Sequence, residues 1–75
     1  MRDSNRQDRA SKIVFSAREL ECIKWCAEGK TYWEIGKILG VSERTVNFHL
    51  GLAKEKTQTV SVAHCVAVAI RGGFL

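Results

Sequence analysis

The sequence contains no proline, only three cysteines and no long apolar run. Without proline, nothing in the composition forbids long helices. Its apolar stretches fall short of the roughly 18 residues that a membrane-spanning helix needs. The first twelve residues are charged and polar and lack the apolar core of a signal peptide. We therefore expect a cytoplasmic protein with no membrane partner, whose odd number of thiols does not form a disulfide framework.

The chain of 75 residues has room for one small domain and little room for an enclosed active site. Apolar residues make up 45% of it and charged residues 27%, as in soluble globular proteins. The net charge of +4 suits a polyanionic partner such as nucleic acid, although many proteins carry a similar excess. No nucleophile and base converge in the pattern, which disfavours an enzyme.

The chain divides into a polar start and a periodic remainder. Residues 1–14 mix both signs of charge without an apolar period, which predicts a flexible tail or the remnant of a linker. The alternative for this segment is a basic arm that contacts phosphates. Residues 15–75 are expected to form the folded domain.

Hydroxyl side chains mark four helix starts. Ser16 opens an S-x-x-E capping box and Thr31 a T-x-x-E box, while Ser42 and Ser61 precede two further periodic segments. Glycine follows three of these segments, at Gly29, Gly40 and Gly72. The predicted helices cover residues 16–28, 32–39, 43–57 and 62–71.

Apolar residues at helical spacing predict the core. In the first three helices these are Leu20, Ile23, Cys26, Ala27, Ile35, Ile38, Leu39, Val46, Leu50 and Ala53. Phe15 is expected to pack on Leu20. The fourth helix is apolar almost all round, and its inward face would hold Val62, Cys65, Val66 and Ala69. Its opposite face needs another cover, and a second copy of the chain is the simplest one. The predicted fold is an all-α, four-helix domain.

The connection between the second and third helices is short and contains Gly40. Glycine permits the sharp turn that sets two helices at a large angle, with Val41 in the core beneath it. This arrangement predicts a helix-turn-helix, whose second helix enters the major groove of DNA.

Three segments carry a family resemblance: FSARELE at residues 15–21, GKTYWEIGKILGVSERTVNFH at residues 29–49, and AVAIRGGFL at residues 67–75. Together they resemble the LuxR-type helix-turn-helix domain, in particular its quorum-sensing branch. The resemblance implies a transcriptional regulator that binds double-stranded DNA as a dimer on a dyad-symmetric promoter site. In full-length quorum sensors a ligand-binding domain precedes this domain, and nothing here matches it. Some members of the family consist of this domain alone.

The resemblance and the residue types together give candidate contacts. Those expected at base edges are Arg44, Asn47 and Phe48. Those expected at the DNA backbone are Lys30, Thr31, Ser42, Thr45, His49, Lys54 and Lys56. Those expected at a dimer interface, weak without DNA, are Ala63, His64, Ala67 and Ile70. Asn47 stands where the family varies its base-reading residue, and asparagine can form a bidentate pair with adenine.

The sequence departs from the family at Gly51, where a long polar or basic side chain is common. Thr57, Thr59 and Val62 also differ from the family's usual residues. These departures bear on affinity and stability more than on fold, since glycine inside a helix is unfavourable.

Three other interpretations of these residues concern a metal site, single-strand stacking and a different function. The potential metal ligands Cys22, Cys26, His49, His64 and Cys65 lack the paired short spacing of structural zinc sites, so no metal or cofactor is expected. The aromatic residues Trp25, Tyr32 and Trp33 are expected to fill gaps between helices and, in full-length relatives, to face a neighbouring domain, rather than to stack on single strands. The rival function is a protein-interaction module that pairs with a full-length regulator through the fourth helix and blocks its DNA binding.

Overall fold

The computed structural model describes residues 12–75, which form four helices and, within that range, no strand. The helices are α1 (Ala17–Ala27), α2 (Tyr32–Leu39), α3 (Glu43–Thr57) and α4 (Val62–Arg71). The predicted all-α, four-helix fold is confirmed. Most of the predicted tail, residues 1–11, lies outside the described residues. In the described part of the chain, no helix combines the length and apolar character needed to cross a membrane.

The two predicted capping boxes are present and fix where α1 and α2 begin. The Ser16 hydroxyl accepts from the Glu19 amide, and the Glu19 carboxylate accepts from the Ser16 amide at 3.0 Å. Thr31 and Glu34 repeat this pair of bonds, at 3.1 and 2.8 Å. Each box satisfies two backbone donors that a helix start otherwise leaves without partners. The remaining two helices are each capped by one bond: the Ser42 hydroxyl accepts from the Thr45 amide, and the Ser61 hydroxyl accepts from the His64 amide.

Left-handed residues end α2 and α3. Gly40 follows α2 with φ 74°, a conformation that glycine adopts without strain. The end of α3 is different, because Gln58 takes a left-handed conformation with φ 57° although it carries a side chain. The sequence pattern placed the end of α3 correctly at Thr57, but it did not identify the residue that turns the chain there.

The core is built around α3, whose inner residues Val46, Leu50 and Ala53 are fully or almost fully buried. Ile23 of α1 and Ile35 of α2 are buried against it, as the sequence predicts. On the predicted inner face of α4, Cys65 and Ala69 are buried, and Val62 and Val66 are half-buried against the same core. Burial of this shared apolar face is the main stabilising term for so small a domain.

Two residues expected in the core are exposed. Ala27 is the last residue of α1, and Cys22, not Ala27, completes the inner face of that helix. Ile38 is 46% exposed because α2 turns Ile35 and Gly36 inward instead. A Cβ atom at Gly36 would lie 2.7 Å from the carbonyl oxygen of Val41, so the chain after α2 passes directly over this glycine.

The two ends of the described chain meet on one side of the core. The ring of Phe15, which was expected to pack on Leu20, lies edge-to-face with Phe74 at a centroid distance of 4.9 Å. Ile13 is half-buried against the same core. The packed part of the chain therefore includes Ile13, two residues before the predicted domain start at residue 15.

Candidate nucleic-acid interface

The turn between α2 and α3 is held by one backbone hydrogen bond and by the packing of Val41. The Val41 amide donates to the Gly36 carbonyl at 2.9 Å, and Val41 packs its half-buried side chain on the core. Glu43 and Arg44, the first residues of α3 after this turn, are exposed. The helix pair α2–α3 is thus a helix-turn-helix, with α3 in the position of the helix that reads DNA.

The predicted base-reading residues lie together on the outer face of α3. Arg44, Asn47 and Phe48 are all exposed, on the side of the helix away from its buried residues. Phe48 is 61% exposed within the described part of the chain, which is unusual for a large aromatic residue. Arg44 and Asn47 also line a shallow groove whose other wall includes Tyr32. The arrangement presents a cation, an amide and an apolar ring side by side.

The start of α3 is held by a hydroxyl pair. The Ser42 hydroxyl accepts from the Thr45 amide at 3.0 Å and donates to the Thr45 hydroxyl at 2.9 Å. At the start of α2, the Thr31 hydroxyl accepts from the Glu34 amide, and Lys30 stands exposed beside it. The helix starts therefore combine partial positive charge, hydroxyl groups and a lysine, which suit phosphate, with one carboxylate in each first turn, Glu34 and Glu43, which does not.

His49 lies half-buried on α3, and its ring meets the edge of Phe48 at a centroid distance of 5.6 Å. Its Nδ1 atom is shielded from solvent and has no hydrogen-bond partner within residues 12–75. The imidazole is thus fixed by packing on one side, which leaves its other nitrogen as the one able to reach a ligand.

Lys56, one of the residues predicted to contact the DNA backbone, is bonded to other residues of the fold. Its ammonium donates to the Glu19 carboxylate at 2.7 Å and to the Val14 carbonyl at 2.8 Å. Burial raises the pKa of Glu19, but the bonds from Lys56 and Ser16 outweigh this effect and hold the pKa below its usual value. We therefore leave Lys56 out of the phosphate contacts proposed below. Lys54, two residues earlier, is half-buried and remains among the proposed phosphate contacts.

The outer face of α4 is open in the single chain. Ala63, His64 and Ile70 are exposed, and Ala67 is half-buried. Ile70 alone leaves 55% of its surface uncovered. The predicted dimer residues therefore form one accessible and largely apolar strip along the helix.

The remaining candidates, the aromatic residues of α1 and α2 and the thiols, lie outside the outer face of α3. Tyr32 and Trp25 pack against the core as expected, whereas Trp33 is 58% exposed, with the Lys37 ammonium 5.2 Å from its ring centroid. Trp33 therefore fills no gap within this domain but lies on the outer side of α2, and the expectation that it faces a neighbouring domain in full-length relatives stays a prediction. Burial raises the pKa of Cys22 to about 11, so this thiol stays protonated at neutral pH.

Comparison with known proteins defines the class of protein to which this geometry belongs. A family model described as "Bacterial regulatory proteins, luxR family" matches residues 13–69. The chain is 41% identical over 69 residues, 92% of its length, to the transcriptional activator protein VanR of Vibrio anguillarum. It is 43% identical over 74 residues, 99% of its length, to the transcriptional activator protein LuxR of Aliivibrio fischeri. It covers 29% and 30% of these two relatives, so it spans about three tenths of their length.

These matches show a DNA-binding domain of transcription regulators, not an enzyme. The chain belongs to the luxR family of bacterial regulatory proteins. The predicted resemblance is thereby confirmed, and the relatives that support it are transcriptional activator proteins.

Proposed function

We propose that this chain binds a dyad-symmetric promoter site as a dimer, with α3 of each copy in the major groove. The observation that carries the proposal is the outer face of α3, where Arg44, Asn47 and Phe48 are exposed together opposite the core. The major groove is about 12 Å wide and admits one helix. Because promoter DNA lies in the cytoplasm, the proposal implies a cytoplasmic protein.

The three residues suit different base edges. Asn47 can pair with the N6 and N7 atoms of adenine, and Arg44 with the O6 and N7 atoms of guanine. Phe48 offers an apolar surface to the methyl group of thymine. We therefore propose that these residues select the bases of each half-site.

Phosphate contacts would hold α3 in register. The candidates surround the two helix starts and the flank of α3: Lys30, Thr31, Ser42, Thr45, His49 and Lys54. Two lines of support are the positive end of each helix dipole and the second ring nitrogen of His49, since the shielded Nδ1 atom leaves that nitrogen as the one able to reach DNA. Such contacts position a protein on DNA without reading its sequence.

Dimerisation is proposed to use the outer face of α4. Two domains must stand about one helical turn of DNA apart to read two half-sites. The strip formed by Ala63, His64, Ala67 and Ile70 is apolar enough to pair with a second copy but far smaller than a stable interface, which buries roughly 1,200 Å² or more. We therefore expect a monomer or weak dimer in dilute solution that pairs on DNA.

Selection of bound sites from a random DNA pool tests this proposal. The expected product is an inverted repeat, with half-site centres about one or two helical turns apart. Asn47→Ala should then relax the base preference at one position of each half-site and weaken binding by about 1–3 kcal/mol. Lys24→Ala, which removes a charge from α1, serves as the control and should leave the selected sequence unchanged. A pool that returns no common sequence would contradict the proposal.

A second candidate function is favoured by the same strip on α4, because Ile70 stays largely exposed in the single chain. In this alternative the chain pairs through α4 with a longer regulator of its family and blocks DNA binding. It predicts that the purified chain does not bind DNA itself but releases such a regulator from its site. Control of this domain by a ligand-binding domain, as in longer members, stays a prediction.

A further inference from the structure

Gly51 lies near the middle of α3, although no contact within the described part of the chain requires a glycine there. It is not among the glycines with positive φ, so the backbone is ordinary helix. Apart from its chain neighbours and the adjoining helix backbone, a Cβ atom at this position meets no atom of residues 12–75 within 4 Å. Glycine is nevertheless among the least favourable residues inside a helix, second only to proline. The cost to α3 is therefore not explained by folding.

Gly36 shows what a glycine required by packing looks like in the same domain. A Cβ atom there would lie 2.7 Å from the Val41 carbonyl oxygen and 3.4 Å from the Glu43 amide nitrogen. Both contacts are with backbone, which cannot move aside as a flexible side chain can. The fold excludes a side chain at Gly36, whereas it leaves open space at Gly51.

The open space lies on the outer face of α3. Gly51 is half-buried and follows Asn47 by one turn and Arg44 by two turns, so it lies on the same side of the helix as these two exposed residues. The next exposed residue on this side, Glu55, carries a negative charge, which DNA would repel. Gly51 is thus the last position on this side of α3 before that negative charge, and an added Cβ atom would enter open space there.

We propose that Gly51 is a specificity-determining residue at which a base edge approaches the α3 backbone more closely than any side chain would allow. This inference rests on the proposed placement of α3 in the major groove. Glycine serves elsewhere as the residue that lets a backbone come close to a ligand. The absence of a side chain then allows α3 to sit deeper in the groove and brings Asn47 and Phe48 to their bases.

Two substitutions at this position test the inference on the full chain with the duplex chosen by pool selection. Gly51→Ala should raise Tm by roughly 4–8 °C, because alanine favours the helix and its methyl group enters open space. It should also weaken binding to the selected duplex about tenfold while leaving binding to unrelated DNA unchanged. Gly51→Arg should also weaken binding to the selected duplex, despite its added positive charge. It should strengthen binding to unrelated DNA.

Glu55→Ala is the matched control, because it changes the same face of α3 without adding an atom at position 51. It should keep or improve affinity for the selected duplex. If Gly51→Ala binds that duplex as tightly as the wild type, or if it lowers Tm, the inference is overturned while the proposed function stands. If the wild type selects no sequence at all, the proposed function fails and the inference fails with it.

Discussion

Replacing Lys56 by methionine should destabilise the domain without removing a DNA contact. The Lys56 ammonium is bonded to the Glu19 carboxylate at 2.7 Å and to the Val14 carbonyl at 2.8 Å. The Glu19 side chain is only 3% exposed, so loss of the ammonium leaves a carboxylate that water can barely reach. Methionine keeps the apolar stem of lysine and removes the charge.

The magnitude follows from the exposure of the two partners. Removing one member of a fully buried ion pair costs about 3–5 kcal/mol, whereas exposed pairs contribute about 0–1 kcal/mol. The Lys56 side chain is 37% exposed, so solvent screens part of the interaction, and Glu19 keeps the bond from the Ser16 amide. We expect a loss of about 1–2 kcal/mol, or roughly 4–16 °C in Tm for a domain of this size.

Urea unfolding of four chains measures the pair directly: wild type, Lys56→Met, Glu19→Gln and the double variant. Glutamine keeps an oxygen that can accept the Ser16 amide bond, so the cycle isolates the charge. The expected coupling is about 1 kcal/mol. Lys54→Met is the matched control on the same helix and should change stability by less than about 0.5 kcal/mol.

DNA titrations complete the comparison. Lys54→Met should reduce the dependence of binding on salt by about one phosphate contact, whereas Lys56→Met should leave it unchanged at a temperature where the domain is folded. The reasoning is refuted if Lys56→Met is as stable as the wild type, or if it lowers the salt dependence as Lys54→Met does.

Three further predictions follow from the same geometry. The folded-state pKa of Glu19 lies below its unfolded value of about 4.5. The stability that this carboxylate provides is therefore present above pH 4.5 and is lost as the pH falls through the folded pKa. Acid unfolding followed by circular dichroism should show a smaller pH dependence of stability in Glu19→Gln than in the wild type. Gly36→Ala should destabilise the domain by about 1–3 kcal/mol or more in urea unfolding, because its methyl group meets the Val41 carbonyl, and an unchanged midpoint would show that the turn can move aside. Ala67→Glu should abolish cooperative binding to paired half-sites and leave single half-site affinity nearly intact, since it sets like charges against each other across the dimer axis; unchanged cooperativity would mean that α4 is not the interface.

Local sequence signals predicted the helices well because each start carries its own capping chemistry. Ser42 and the spacing of Val46, Leu50 and Ala53 placed α3 at its observed bounds. The same spacing placed Arg44 and Asn47 on the exposed side, because residues opposite a buried stripe face outward.

Features that depend on contacts between distant segments were not predictable in this way. Lys56 and Glu19 are 37 residues apart, and no local pattern indicates that they meet. Ile38 matched the apolar period of α2, but the passage of the chain over Gly36 rotates the inner face of that helix away from it. The size and chemistry of Trp33 favoured a place between helices, and only the packed fold shows that its side chain lies on the outer side of α2.

An equilibrium titration of the purified chain with its selected duplex over a series of salt concentrations tests the central claim most directly. The account predicts binding at least about 10³-fold tighter than to a scrambled duplex. It also predicts that log K falls with log salt by about 0.9 for each phosphate contact, with several contacts per domain. Equal affinity for both duplexes, or affinity that does not change with salt, would contradict the claim that this domain reads DNA through α3.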